Sequence, residues 1–293
     1  MPLSAARIPF DPADEQACIS AAFNLPGPDG AFDAPTTAFL RRLALRRRCV
    51  LLAFAPKAAG TFFRSAAVLA TNGQLIRTVH AQGERDAQFY LPVFLGYYLD
   101  KLTPHTMVTH VHMQALTANQ KFIEAFDLKP VIMVRPIPDM LASYCDMLEQ
   151  DPAALREGLN GRVAPSFASW DRQRKTDFLI DVLGPWYASY FATWTDYAAS
   201  APGRVLVLAY DDFSADPAAA LHDALAHSGL PQTLEICRSA IAQSWRERAT
   251  MRFNRGVAGR GRDYFSAAQL QRLARMLDYY GLNDPKRSLL TAA

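Results

Sequence analysis

Strand-length apolar runs alternate with helical stretches along this chain, which predicts an α/β fold: one domain with a central, mainly parallel sheet and helices on both faces. Three observations carry that expectation. Short apolar runs recur at "LLAFA", "TMVTHVHM", "KPVIMVR" and "RVLVLAYDDF". Each is followed by a stretch with helical spacing, and Pro, Gly or Asp marks most of the corners between them. A hydrophobic share of 50% over 293 residues is enough for a packed core.

Taken in order, residues 1 to 40 are rich in Pro, Ala and Asp and read as an irregular arm with one short helix near Glu15 to Phe23. "RRLALRRR", Arg41 to Arg48, reads as a solvated basic face leading into the first strand, Leu51 to Ala55. Thr61 to Ala70 is Ala-rich, lacks Pro and Gly, and is helical. "VFLGYYLDKL" is a helix, "TMVTHVHM" a strand, "NQKFIEAFDL" a helix, "KPVIMVR" a buried strand, and "PDMLASYCDML" a helix opened by Pro138 and Asp139. Asp151 to Lys175 is polar and punctuated by Pro and Gly, so it reads as an insertion or cap. Pro185 to Ala199 spaces aromatics as a helix buried on one face, "RVLVLAYDDF" is a strand, and "DPAAALHDALAHSGL" is a capped helix stopped by Gly229. Residues 1–48 are therefore expected as an arm packed on a main domain of residues 49–293.

Two corners carry chemistry. Between the first strand and helix stands Pro56-Lys57-Ala58-Ala59-Gly60-Thr61. A helix start presents unpaired N–H groups and the positive end of a dipole, so a lysine and a glycine there make an anion cradle. The nucleotide-binding form GxxxxGK[ST] occurs nowhere in the chain, which disfavours an ordinary P-loop ATPase. At the second corner Arg135 closes a strand and Ser143 follows on the next helix, a guanidinium and a hydroxyl suited to a phosphate monoester. Ligands of such sheets bind at the carboxyl ends of strands, and two anion sites there imply a ligand with two separated phosphates.

A net charge of +3 is too slight to argue for nucleic acid. The four cysteines, Cys18, Cys49, Cys145 and Cys237, form no CxxC pair, so neither a disulfide framework nor a zinc site is expected. With no secretory-type start and no apolar run near the ~20 residues that span a bilayer, a cytoplasmic protein is expected.

The corner followed by R-x-x-x-D-x-x-x-S resembles the sulfotransferases that use 3′-phosphoadenosine 5′-phosphosulfate (PAPS). "PKAAGT" is similar to their 5′-phosphosulfate loop, and "VIMVRPIPDMLASY" to their 3′-phosphate motif, with Arg135 and Ser143 on its arginine and serine. "AYDDFSADP" resembles the family's Y-E-D-L-x-x-D-P strand end, with Tyr210 on its tyrosine. "RFNRGVAGRGRDYF" resembles its late R-K-G-x-x-G-x-W loop: Asn254 replaces arginine, Arg255 replaces lysine, Gly256 and Gly259 match, and Gly261 replaces tryptophan, with Arg252 a substitute guanidinium.

The resemblance implies a PAPS-dependent enzyme that needs no metal. Lys57 would neutralise the leaving phosphate, and Ala59, Gly60, Thr61 and Phe62 would hold the phosphosulfate. Phe63 would offer a ring face to adenine, with Trp245 of "QSWRER" a further aromatic, and Arg135, Ser143, Tyr210, Asn254, Arg255 and Gly256 would complete the nucleotide site. Thr109-His110 matches the family's T-H dipeptide, making His110 the base, with His112 on the same side of the strand as the rival. The acceptor is expected to be a small-molecule hydroxyl, a phenol, an alcohol, or a sugar or lipid hydroxyl, lined by residues such as Phe89, Tyr90, Tyr97 and Trp170. No nucleic-acid or membrane partner is expected, and a homodimer is compatible with the reading. Two alternatives stay open: a nucleotide-dependent kinase of P-loop ancestry, for which Asp211-Asp212 is the one tempting metal-binding pair, and a non-catalytic polyanion-binding protein using the basic loops.

Overall fold

A computed structural model describes residues 16–17, 20, 32–78, 90–100, 105–151, 163–247 and 259–282. Its centre is an all-parallel five-stranded sheet flanked by helices. The strands are β1 (Arg48–Leu52), β2 (Gln74–Ile76), β3 (Thr106–His110), β4 (Val131–Val134) and β5 (Leu206–Ala209), in spatial order β2-β3-β1-β4-β5. β1 and β3 pair residue for residue, so Leu52 at the end of β1 lies beside His110 at the end of β3. Connections from β1 run first to one edge and then, from β3 across to β4, toward the other. Because such crossovers are right-handed, connections travelling in opposite directions put their helices on opposite faces. The reversal also opens a crevice at the carboxyl end of β1.

Before the sheet comes α1 (Ala34–Ala44), which the reading of an irregular arm missed. The Asp33 carboxylate accepts from the Thr36 N–H at 2.7 Å, Pro35 sits in the first turn, and Arg41 and Arg42 complement the dipole in the last. Phe39, Leu40 and Leu43 are buried in the common core, so α1 belongs to the one domain. The expected helix near Glu15 to Phe23 falls almost wholly outside the described residues.

On one side α2 (Gly60–Thr71) packs against β1, β2 and β3 and is covered by α9 (Leu234–Arg246). The α7 (Tyr210–Ala215) and α8 (Pro217–His227) helices follow β5; Tyr210 thus opens a helix instead of closing the strand, and Asp216 caps α8 through the N–H groups of Ala218 and Ala219. The connections beyond β2 hold α3 (Leu91–Leu99) and α4 (Thr117–Ala125). On the chain after β4, α5 (Ile137–Gln150) packs with α6 (Arg172–Ser200) and α10 (Gly261–Tyr264), and α6 packs with α11 (Ala267–Tyr279).

Two expectations are corrected here. The cap read over Asp151 to Lys175 is helix from Arg172 onward, and Pro185 lies inside the 29-residue α6 instead of starting a helix. Asp171 caps the Arg174 N–H at 2.8 Å, a start signal hidden among the polar residues around it. β3 ends at His110, two residues into the expected "THVHM", so His112 belongs to the extended segment that follows it.

Candidate functional site

In the corner between β1 and α2 the carbonyls of Ala53 to Lys57 are all taken by hydrogen bonds. Four of its carbonyl oxygens are each taken by a side chain from elsewhere. Tyr190 of α6 donates to Ala53 O, His112 Nδ1–H to Phe54 O at 2.7 Å, Tyr187 of α6 to Pro56 O at 2.9 Å, and Arg135 to Lys57 O at 2.7 Å. Ala55 O accepts from the Ala58 N–H at 3.2 Å. Lys57 (φ 66°) and Ala59 (φ 61°) adopt the left-handed conformation, which costs about 1–2 kcal/mol for a residue with a Cβ. The pinned carbonyls hold the chain there.

The reward for that strain is a nest of N–H groups at the head of α2. Its first intrahelical acceptor is used only by the Phe63 N–H, which reaches Ala59 O at 3.0 Å, so the N–H groups of Gly60, Thr61 and Phe62 come before the helical ladder begins. The carbonyls of Ala53 to Lys57, each already accepting a hydrogen bond, do not compete with an anion for that space. Lys57 is half-buried at its edge.

His110 stands directly against the cradle: a Cβ on residue 60 would run into its imidazole. Glycine is required at this position by close approach, since its φ is ordinary. The Nε2 atom of His110 is buried and has no hydrogen-bond partner among the described residues. Burial holds its pKa well below the ordinary histidine value, with His112 and Arg64 adding repulsion of the charged form. The His112 ring meets the His110 ring edge-on at 4.9 Å, so the rivals form one pair. Because a carbonyl can only accept, His112 Nδ1 carries the proton it gives to Phe54.

Arg135 is buried and lies with its guanidinium carbon 4.2 Å over the Tyr210 ring. Tyr210, itself buried, therefore sits beneath the arginine and fixes its plane. Ser143 is buried two turns into α5. The structure thus brings Lys57, Ala59, Gly60, Thr61, His110 and Arg135 together around one corner. Asn254, Arg255 and Gly256, with Arg252, lie outside the described residues.

The Phe63 expectation is overturned by packing. Its ring is fully enclosed, 5.2 Å from Phe54 and 5.8 Å from Phe213, and presents no face to a ligand. Helical geometry turns Phe62, one residue earlier, toward α9, where its ring lies 4.9 Å from that of Trp245. Tyr97 and Trp170 are engaged in packing: the Tyr97 hydroxyl accepts from the Arg77 N–H at 3.2 Å, and Trp170 lies against Phe167 and Phe178. Tyr90 remains exposed, and Phe89 lies outside the described residues.

Asp139 and Gly261, read in sequence as a helix opener and a replaced tryptophan, make contacts that the sequence did not show. Asp139 accepts from the N–H groups of Gly259 at 2.7 Å and Gly261 at 2.6 Å, and so anchors the chain as it leaves the late glycine-rich loop. Gly261 packs so closely on Pro138 that a side chain there would collide with it. Tyr187 and Tyr190 were read only as core. No residue cluster among the described ones could hold a metal ion, and no described helix is long and apolar enough to cross a membrane.

No protein-family model matches the chain, and no curated protein matches it in sequence. Solved structures do. A mouse sulfotransferase, SULT7A1, crystallised with PAP, aligns over 90% of this chain and 93% of its own with a TM-score of 0.61 at 12% identity. A retinol dehydratase in complex with androsterone and the inactive cofactor PAP aligns over 94% and 95% with a TM-score of 0.49 at 14% identity. The chain has the fold of the mouse sulfotransferase.

Proposed function

We propose that this chain is a PAPS-dependent sulfotransferase acting on the hydroxyl of a small-molecule acceptor. One observation carries the reading: a corner whose carbonyls from Ala53 to Lys57 are already hydrogen-bonded offers N–H groups, Lys57 and Arg135 to an anion while an unpartnered imidazole nitrogen presses against the same glycine. The residues fit such a ligand, because Gly60 leaves space where a side chain would stand and His110 Nε2 is a buried polar atom awaiting a partner.

When bound, PAPS supplies a sulfuryl group whose S–O bond to the 5′-phosphate breaks as a new S–O bond forms to the acceptor oxygen. The N–H groups of Gly60, Thr61 and Phe62 and the Thr61 hydroxyl hold the phosphosulfate oxygens in line with the incoming hydroxyl. Lys57 neutralises the charge left on the departing phosphate oxygen. Arg135 and Ser143 hold the 3′-phosphate, and the resemblance assigns Asn254, Arg255 and Gly256 to the same nucleotide, with Arg252 as the guanidinium that Asn254 lacks. Trp245, half-buried against the enclosed Phe62 ring, offers the aromatic face for adenine in place of Phe63.

His110 Nε2 takes the acceptor's proton. Held neutral by its surroundings, it is in the form a base requires. His112, fixed through Phe54 O, orients it. The acceptor approaches from the β2–β3 side, where Tyr90 is exposed and its N–H donates to Thr78 O at 2.8 Å. The Thr78 hydroxyl in turn lies 3.1 Å from that of Thr109, next to His110. A cytoplasmic location and a homodimer belong to this reading.

Calorimetric titration with PAP, against 5′-AMP and ATP with Mg²⁺, tests it, followed by transfer of labelled sulfate from PAPS to a panel of phenols and alcohols. Preference for PAP and label transfer are expected. Tighter binding of ATP with Mg²⁺ would replace the reading by a kinase.

A further inference from the structure

The basic run Arg41 to Arg48 lines a cavity of about 660 Å³ at the opposite end of the sheet from the cradle. Arg41 and Arg42 come from the last turn of α1, Arg47 and Arg48 from the entry to β1, and Lys129 from the turn leading into β4. Three separate segments therefore bring cations to one hollow. Its single carboxylate, Asp127, is already paired with Arg204 at 3.0 Å.

The cations have different duties. Arg47 donates to the carbonyls of Tyr97 and Asp100, which ties it to the end of α3. Arg42 lies over the Phe39 ring. Arg41, Arg48 and Lys129 have no carboxylate partner among the described residues, so their charge faces the cavity and solvent. Its floor holds the buried apolar residues Cys49, Phe126 and Leu128, and His227, Ser228 and Gly229 also line it.

A second observation points to a ligand. Tyr98 also lines the cavity; it is 3% exposed, and its hydroxyl has no hydrogen-bond partner among the described residues. A buried hydroxyl left unpaired is costly, and a ligand oxygen arriving there would recover that loss. Arg47 and Arg48 line the same hollow, so the oxygen that hydroxyl would meet is an anionic one.

We propose that this cavity binds a small organic anion, a phosphate or sulfate ester with an apolar body, its head among Arg41, Arg48, Lys129 and the Tyr98 hydroxyl and its body on Phe126 and Leu128. A flat basic surface would suit nucleic acid; a concave one with an apolar floor suits a compact amphiphile. The site is separate from the cradle, since β1 itself, five residues at roughly 3.3 Å each, stands between them.

The test is calorimetric titration of the full chain with 1-naphthyl phosphate, with 1-naphthol, inorganic phosphate and a heparin oligosaccharide as comparators. One site is expected, weakened at least about tenfold by the pair Arg41→Ala and Arg48→Ala, and by a smaller factor in Tyr98→Phe, as loss of charge-assisted and neutral hydrogen bonds respectively predicts. Arg41 and Arg48 are exposed, so the double variant keeps its fold, which a melting curve verifies. Arg135→Ala, which disables the nucleotide site, should leave naphthyl phosphate binding unchanged and so separates this proposal from the sulfotransferase reading. Unaltered affinity in the double variant, loss of binding in Arg135→Ala, or no binding at all overturns the proposal. Equal affinity for inorganic phosphate overturns the apolar subsite, and heparin binding without naphthyl phosphate binding replaces the small ligand by a polyanionic chain.

Discussion

The guanidinium of Arg135 donates a hydrogen bond to the carbonyl oxygen of Lys57 at 2.7 Å, joining the end of β4 to the corner after β1. One residue thereby sets the spacing between the two proposed phosphate positions while it occupies a carbonyl beside the cradle. Arg135→Lys keeps the charge but lacks the fork that can serve a carbonyl and a phosphate together. PAP affinity should fall about 10- to 100-fold, the worth of one charge-assisted hydrogen bond of ~1.5–3 kcal/mol, as read by calorimetry. Undiminished binding would place the 3′-phosphate elsewhere.

Gly60 and His110 occupy space that neither can share. Gly60→Ala drives a methyl group into the imidazole and should destabilise the fold by about 1–3 kcal/mol, an overpacking cost measurable by urea unfolding. Adding His110→Ala opens room for the methyl, and the double variant should regain most of that stability. It should stay inactive in sulfuryl transfer. Additive losses in the two single variants and the double would mean that the contact is relaxed in solution.

Much of this fold was legible because buried parallel strands are short apolar runs, and "LLAFA", "KPVIMVR" and their helices advertise period and corners. β2 was not, since three residues, two of them exposed, leave no apolar run to read. α1 was legible only through its Asp33 cap, lost beside Pro and Ala-rich sequence. At the site, Lys57, Gly60, His110 and Arg135 are local features of corners, and they do converge. Tyr187 and Tyr190, which hold the corner's carbonyls from 131 and 137 residues away, carry no mark distinguishing them from other core aromatics. Phe63 was misassigned because residue spacing alone cannot say that both adjacent helical rings, Phe62 and Phe63, are enclosed in the core.

Asp139 binds two backbone N–H groups at once, so its substitution should act at a distance in sequence. Asp139→Ala leaves the N–H groups of Gly259 and Gly261 without their acceptor and should cost about 2–4 kcal/mol, one to two unpaired groups' worth. Asp139→Asn retains one accepting oxygen and should cost less. Because the late loop ends at these anchors, both variants should also weaken PAP binding, and a stability loss without that weakening would detach the loop from the nucleotide site.

The low pKa of His110 makes opposite demands on stability and catalysis at acid pH. In the unfolded chain the imidazole takes a proton near 6.5, whereas in the fold burial, His112 and Arg64 keep it neutral to lower pH. Stability is therefore full above pH 6.5 and is lost as pH falls below it toward the folded pKa, by at most about 1.4 kcal/mol per pH unit from this group. The half-buried His227 adds to the loss in the same direction. Over the same interval the base remains deprotonated, so the rate should hold its plateau below pH 6.5 while the protein becomes easier to unfold. Urea unfolding at pH 7.5 and 5.5 should show a smaller difference in His110→Gln than in the parent chain, alongside a pH–rate profile for the parent. An acid limb at or above pH 6.5, with an unchanged unfolding difference in the variant, would move the base from His110 to another group, the neighbouring His112 first among them.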